Sequence, residues 1–484
     1  MFNLVGSLQR YSGKSAVMAL FVLCALPVLV LTALLTPPGQ SPDEPTHVAR
    51  AEGLLHGAVL GARAQEPDPD ISGTKLLAGV RVNQSLIAAS FGVTTPVDGR
   101  PVVTEQDFQA MLAQPPQPQR VFVNIPNTVT YFPATYVPAA LGLAAGELFA
   151  GGKPFFCIML ARFGMAAAYL ALGLLALRVA AYGEALLLAV LLMPMSLFLA
   201  GTVNQDGVLI ALAAVAGAAL TRETAGYRAL GLVALTLALM AKPPYLPLLA
   251  LFLLPLSPPG LLTRLRNVAL AVLPVLLWAA LISAFIVVPF YKPPYYAGPL
   301  FAGDHSTLLD HTDAAANLQI LLAQPQRLFT LPWHTLGLWG VVWLGEMVGV
   351  LGLLQISMPV GYYVLWSVAI GGAVAGLLCS GRPVAYAARQ QAARLLWVVG
   401  LIAVNAWLIM LTFYLDWSNV GIDYIDGIQG RYLLPFIPFL AVAVPSLMPR
   451  LRLAPLLPAV PVVLLGLFDI GYIPMRLLQT YYMH

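Results

Sequence analysis

From Lys14 to Leu35 the chain reads KSAVMALFVLCALPVLVLTALL, a lysine followed by an apolar run of about the twenty residues that a bilayer-spanning helix needs. A cleaved signal peptide has a shorter apolar core and a small-residue cleavage site. The run therefore reads as a retained first helix, starting on the cytoplasmic side behind Arg10 and Lys14. The rest of the chain has the same character. Of its 484 residues 59% are hydrophobic and 10% charged, with a mean hydropathy of +0.82, whereas soluble globular chains carry about 25% charged residues. The chain reads as an all-α polytopic membrane protein, one membrane domain over residues 1–484.

Working outward from the first run, further spans are expected near 155–178, 185–201, 206–221, 229–241, 246–257, 267–290, 359–379, 394–414, 433–448 and 454–475, about eleven in all with the C-terminus outside. Charge tests this threading, because basic residues concentrate in short cytoplasmic loops. The proposed inner loops hold Arg178, Arg222, Arg228, Arg264, Arg266, Arg382, Arg389, Arg394, Arg450 and Arg452, but only two acids, Glu184 and Glu223. One choice depends on the test. Residues 229–257 as a single helix would put Arg264 and Arg266 outside, so the run is split at Lys242-Pro243-Pro244 into two short helices meeting at the outer face. A net charge of +4 and a pI near 8.9 are explained by this topology, and nothing resembles a nucleic-acid-binding stripe. Cys24, Cys157 and Cys379 lie in apolar stretches without metal-like spacing and read as packing residues.

Three outer regions are long enough to hold a site: about 36–153, proline-rich and carrying surface helices, with Tyr131-Phe132-Pro133-Ala134-Thr135-Tyr136 inside it; about 291–358, with an amphipathic-looking stretch from Leu318 to Trp343; and about 415–432. In the first, Asp43-Glu44-Pro45-Thr46-His47-Val48-Ala49-Arg50 follows the first span directly. Two adjacent carboxylates, with His47 one turn beyond Asp43 on the same helix face, can do acid-base work. The plainer alternative makes Asp43 a helix N-cap with Glu44 in the first turn. Asp206, in Asn204-Gln205-Asp206-Gly207, admits the same two readings. Lys242, flanked by apolar runs, needs an anionic partner or must snorkel to the head groups. Arg431, in Gln429-Gly430-Arg431-Tyr432, is the one basic residue of its loop and stands on the side that topology does not favour. It calls for an anion, either Asp423 or Asp426 or a phosphodiester or pyrophosphate. His305, Asp310, His311 and Asp313 could ligate metal but lack a recognised spacing and read as solvated loop residues.

The chain resembles a bacterial family of uncharacterised polytopic membrane proteins grouped with the GT-C glycosyltransferases. The resemblance rests on Pro42 to His47, Tyr131 to Pro138, Ala161-Arg162-Phe163, Asn204-Gln205-Asp206, Ala241-Lys242-Pro243, Gly349-Val350-Leu351-Gly352 and Gly427 to Pro435. It implies a GT-C-like fold with its catalytic acid in the first extracytoplasmic loop, short helices after it and a polyprenyl-phosphate sugar as donor. Asp43 matches the family acid and would be the general base, beside Glu44. Asp206 matches the second acidic position, and Lys242 the basic position that faces the lipid phosphate. Arg431 joins Lys242 at the donor phosphate by the argument from charge alone, with His47, Arg50, Asp206, Gln429 and Tyr432 in support. The implied activity is inverting hexosyl or pentosyl transfer to a glycan or lipid-linked acceptor, at the outer face of a bacterial inner membrane. Such a transfer needs a base for the acceptor hydroxyl and cations for the leaving phosphate. No metal ligand is identified, which leaves a divalent ion (Mg or Mn) open. The rivals are a flippase or transporter of a lipid-linked saccharide, expected to show paired halves and charges at mid-membrane, and a glycan ligase or polymerase using a pyrophosphate carrier.

Overall fold

The opening run forms the helix Phe2–Leu35. The computed structural model describes residues 2–68, 73–92, 94–97, 100–255, 260–288, 313–379, 387–446 and 457–483. Among these, six helices are long and apolar enough to cross a membrane: Gly13–Leu35, Pro154–Val179, Leu261–Phe285, Val360–Leu378, Ala388–Asp416 and Leu457–Tyr481.

The other five expected spans are shorter or broken, and proline is the main reason. The run 185–201 divides at Met193-Pro194 into Glu184–Leu192 and Pro194–Ala200, because proline lacks the N–H and crowds the carbonyl four residues back. Pro243–Leu253 and Gly430–Phe439, interrupted by Pro247 and by Pro435 and Pro438, wind as 3₁₀ helices. Gln205–Leu220 and Ala225–Ala241 are regular, with 16 and 17 residues, but at 1.5 Å per residue they reach only about 24 to 26 Å. Every residue of Gln205–Leu220 is buried. This Ala-rich helix packs against Pro154–Val179, Ala225–Ala241 and Gly430–Phe439, forming a centre that lipid does not touch. The small side chains permit this: a Cβ on Gly217 would lie 2.8 Å from the Pro438 ring.

The expectation of an all-α chain is corrected in the first loop. Strands β1 (Ala62–Asp68), β2 (Gly73–Asn83), β3 (Thr95–Val97), β4 (Arg100–Val102) and β5 (Arg120–Asn124) form an antiparallel sheet, β1-β2-β5, and a separate β3-β4 hairpin. Strand β2 alternates in the way a half-buried strand should: Ala78, Val80 and Val82 are buried while Arg81 is exposed. Five residues of alternation were too short a signal beside the long apolar runs. A helix, Val137–Phe149, follows Tyr136 and is held against Pro154–Val179 through Gly142 and Gly146, with Leu141, Leu148 and Phe149 exposed. The stretch Leu318 to Trp343 is two helices, Ala314–Ala323 and Arg327–Gly349, divided at Gln324-Pro325.

Polar contacts fix which helix ends lie together. Lys14 pairs with Glu184 (3.9 Å), Arg222 donates to the Val179 carbonyl (2.7 Å), and Arg228 donates to the Leu254 carbonyl (2.7 Å). The basic loops thus gather at one end. Because Arg228 begins one short helix and Leu254 ends the next, the chain reverses at Lys242, at the opposite end. Leu35, Gln205, Lys242 and Gly430 all lie at that second end. Arg382, Arg450, Arg452, His305, Asp310 and His311 lie outside the described residues; Asp313 caps the helix Ala314–Ala323 by accepting from the Ala315 and Ala316 amides.

Candidate functional site

Asp43 sits at the N-cap position of Glu44–Leu55, but its side chain caps nothing. Its backbone is left-handed (φ 60°, ψ 12°), a conformation costly for most residues but tolerated by Asp and Asn. This turns the carboxylate away from the helix amides and across to Arg431, 3.0 Å from Nη2. Neighbouring contacts hold it there. Asn204 donates to the Pro42 carbonyl (2.9 Å), and the Ser41 and Thr202 hydroxyls are 2.9 Å apart, so the first loop is fastened to the loop that precedes Asp206.

Asp206 is not a cap either. Asn204 caps Gln205–Leu220 by accepting from the Asp206 amide (2.8 Å), which leaves the Asp206 carboxylate free. One oxygen lies 2.6 Å from Lys242 Nζ and the other 3.5 Å from Arg431 Nε. Lys242 does not snorkel; its ammonium lies 4.3 Å from the centre of the Tyr432 ring, a cation-π contact. Asp423 and Asp426, the loop acids considered for Arg431, do not serve it: the Asp426 carboxylate accepts from the Gly427 amide, and Asp423 meets His334 through its carbonyl. Arg431 instead reaches the two acids that lie far away in sequence.

Gly430 makes this reach possible. A Cβ there would lie 2.0 Å from the Trp343 carbonyl, so only glycine lets the chain press against Arg327–Gly349, where the Gly430 amide donates to Glu346 (2.6 Å). Tyr245 adds a tie by donating to the Tyr432 carbonyl (2.7 Å). Gln429 precedes this segment and does not reach the ion pairs; its buried Oε1 accepts no hydrogen bond from any described residue.

Glu44 points the other way. It is fully buried with Arg162 in a bidentate pair, Nε to Oε1 at 2.8 Å and Nη2 to Oε2 at 2.7 Å, and its oxygens also accept the Val203 and Gly39 amides. Its lone pairs are spent on structure. Arg162 further donates to the carbonyls of Ala33, Thr36 and Pro37, so the pair knots the end of the first helix to the loop that carries Asp43. Arg50, also fully buried, clamps the carbonyls of Ala58, Val59 and Tyr131.

His47 hydrogen-bonds through Nδ1 to the Tyr136 hydroxyl (2.7 Å), with the Tyr131 ring stacked at 6.5 Å. Burial pushes its imidazole down to about 4; Asp43 and Asp206 oppose that shift, and Arg431 and Lys242 add to it. The folded chain therefore binds fewer protons than the unfolded chain between about pH 6.5 and 4. The stability contributed by neutral His47 is complete above pH 6.5 and falls away as the pH drops through that window, by about 3 kcal/mol in all. His47→Gln should flatten this acid limb, as read from thermal unfolding in detergent between pH 4 and 8. A limb of unchanged steepness would assign it to another group.

The centre of the site is thus two acids and two cations, Asp43, Asp206, Lys242 and Arg431, with Tyr432 beneath and His47 behind. The contribution of Tyr131, Tyr136 and Tyr245 was not foreseen, although the first two stand in a conspicuous aromatic motif. No three His, Cys, Asp or Glu side chains converge among the described residues, and each carboxylate of the cluster already faces a cation. No curated protein and no solved structure matches the chain. Residues 26–440 do match a family described as "Predicted membrane protein (DUF2142)", and since the match spans most of the chain and agrees with its apolar helices, the chain belongs to that family of membrane proteins.

Proposed function

We propose that this membrane protein is an inverting glycosyltransferase of GT-C type, moving a sugar from a polyprenyl-phosphate donor to a glycan or lipid-linked acceptor at the end of the helix bundle opposite its basic loops. One observation carries the reading. Arg431, of which only 2% of the side chain is exposed, keeps Nη1 without a hydrogen bond to any described residue while its Nε lies 3.5 Å from Asp206, beside Lys242 and next to a half-exposed carboxylate. Buried guanidinium N–H groups left unbonded are costly, and a phosphate is well shaped to satisfy them.

The residues then divide the work. The Asp43 carboxylate takes the proton of the acceptor hydroxyl as its oxygen attacks the anomeric carbon. The bond from that carbon to the phosphate oxygen breaks, and its electron pair stays on the phosphate, where Arg431 and Lys242 meet the charge that develops. Polyprenyl phosphate leaves already anionic and needs no acid. Glu44 has no part in the chemistry. The transporter reading is weaker because the charged cluster gathers at one end of the bundle.

Reconstituted protein, supplied in turn with polyprenyl-phosphate hexoses and pentoses, should release polyprenyl phosphate from one of them. Lys242→Ala and Arg431→Ala should each lower kcat/KM by about one to two orders of magnitude, at roughly 1.5 to 3 kcal/mol per charge-assisted hydrogen bond. The double variant should lose less than the product, because groups that share a partner are coupled. Wild-type turnover unaffected by either substitution would refute the assignment.

A further inference from the structure

We infer that the donor's phosphate and Asp43 compete for Arg431, so that binding of the anionic head group is the event that frees the base. The inference rests on the proposed reading and deepens it. As folded, the cluster is electrically closed: two carboxylates face two cations, and no positive charge is left over for an incoming anion. Its four members are unequal. Asp206 is buried and is held against Lys242 at 2.6 Å, with a second approach to Arg431. Asp43 has 49% of its side chain exposed and a single ion-pair contact, to Nη2 of Arg431. It is the partner most easily displaced, because water can take over its solvation while Asp206 has no such recourse.

A phosphate seated on Nη1 of Arg431, where a hydrogen bond is missing, brings negative charge close to the Asp43 oxygen at Nη2. The two anions repel, and the exposed carboxylate swings out. Before the donor binds, the Asp43 carboxylate is engaged by the Arg431 guanidinium. Afterwards that cation belongs to the phosphate, and the carboxylate is free beside the anomeric carbon. The arrangement holds the base back until there is something to transfer.

The consequence runs against ordinary expectation: removing the catalytic charge should tighten donor binding. Asparagine accepts the left-handed backbone that Asp43 adopts, so Asp43→Asn preserves the loop, and Asp43→Gly gives a second variant tolerated there. Binding of a short-chain polyprenyl phosphate in detergent is measured by calorimetry for wild type, both Asp43 variants and Arg431→Ala. Inorganic phosphate is the parallel probe that separates head-group recognition from recognition of the lipid. Both Asp43 variants should bind polyprenyl phosphate about tenfold more tightly than wild type, and the same ratio with inorganic phosphate would place the gain in the head group alone. Unchanged or weakened affinity in both Asp43 variants, with binding lost in Arg431→Ala, would overturn the competition and leave the donor site standing. Unchanged affinity in Arg431→Ala would remove the donor site, and the competition with it.

Discussion

Asp43→Asn is expected to lower transfer by about 10² to 10⁴-fold while the protein still folds, expresses and binds donor, the range a positioned general base contributes. The amide keeps the size of the side chain and suits its backbone, but it cannot take the acceptor's proton. The loss should appear in kcat, because the proton moves only in the transition state. A reconstituted assay at saturating donor measures it directly. Activity within a few-fold of wild type would end the assignment of Asp43 as base, and a fall confined to KM would make it a binding residue.

The second large effect concerns folding. Arg162→Ala should destabilise the protein by about 3 to 5 kcal/mol, because it abandons the Glu44 carboxylate in a fully buried site. Three backbone carbonyls lose their donor at the same time. Glu44→Gln should be milder, since the amide oxygen still accepts one of the bonds. Thermal unfolding in detergent, together with the yield of monodisperse protein, reads both. The pair of variants also separates roles: if Glu44→Gln lost turnover at unchanged stability, Glu44 would have to be returned to the chemistry.

The sequence announces the site more clearly than it announces the fold around it. Lys242 and Arg431 are legible because each is a cation where membrane topology does not ask for one, and such a charge must find a partner. The partner itself was not legible. Asp423 and Asp426 are near Arg431 in sequence, whereas Asp43 and Asp206 are brought to it by the path of four segments. Asp43 and Glu44 look equivalent as neighbouring acids, and only the left-handed backbone at Asp43 sends one to the site and the other into the core. The spans were legible where about twenty apolar residues ran unbroken. They were less legible where prolines at 194, 247, 435 and 438 interrupt runs that hydropathy alone would continue. Strand β2 was missed because a short alternating stretch weighs little in such an apolar chain.

The order in which the cluster's members are synthesised has a consequence for biogenesis. Asp206 and Lys242 leave the ribosome 36 residues apart and can neutralise each other while the later helices are still unmade. Asp43 emerges early and waits 388 residues for Arg431, half exposed and able to stay hydrated in the meantime. The charge that is hard to bury thus finds its partner quickly, and the one that must wait is the one water can keep. A chain stopped before Arg431 would carry a settled ion pair beside an acid still without its cation, so the four-charge cluster closes only when nearly nine-tenths of the protein has been translated.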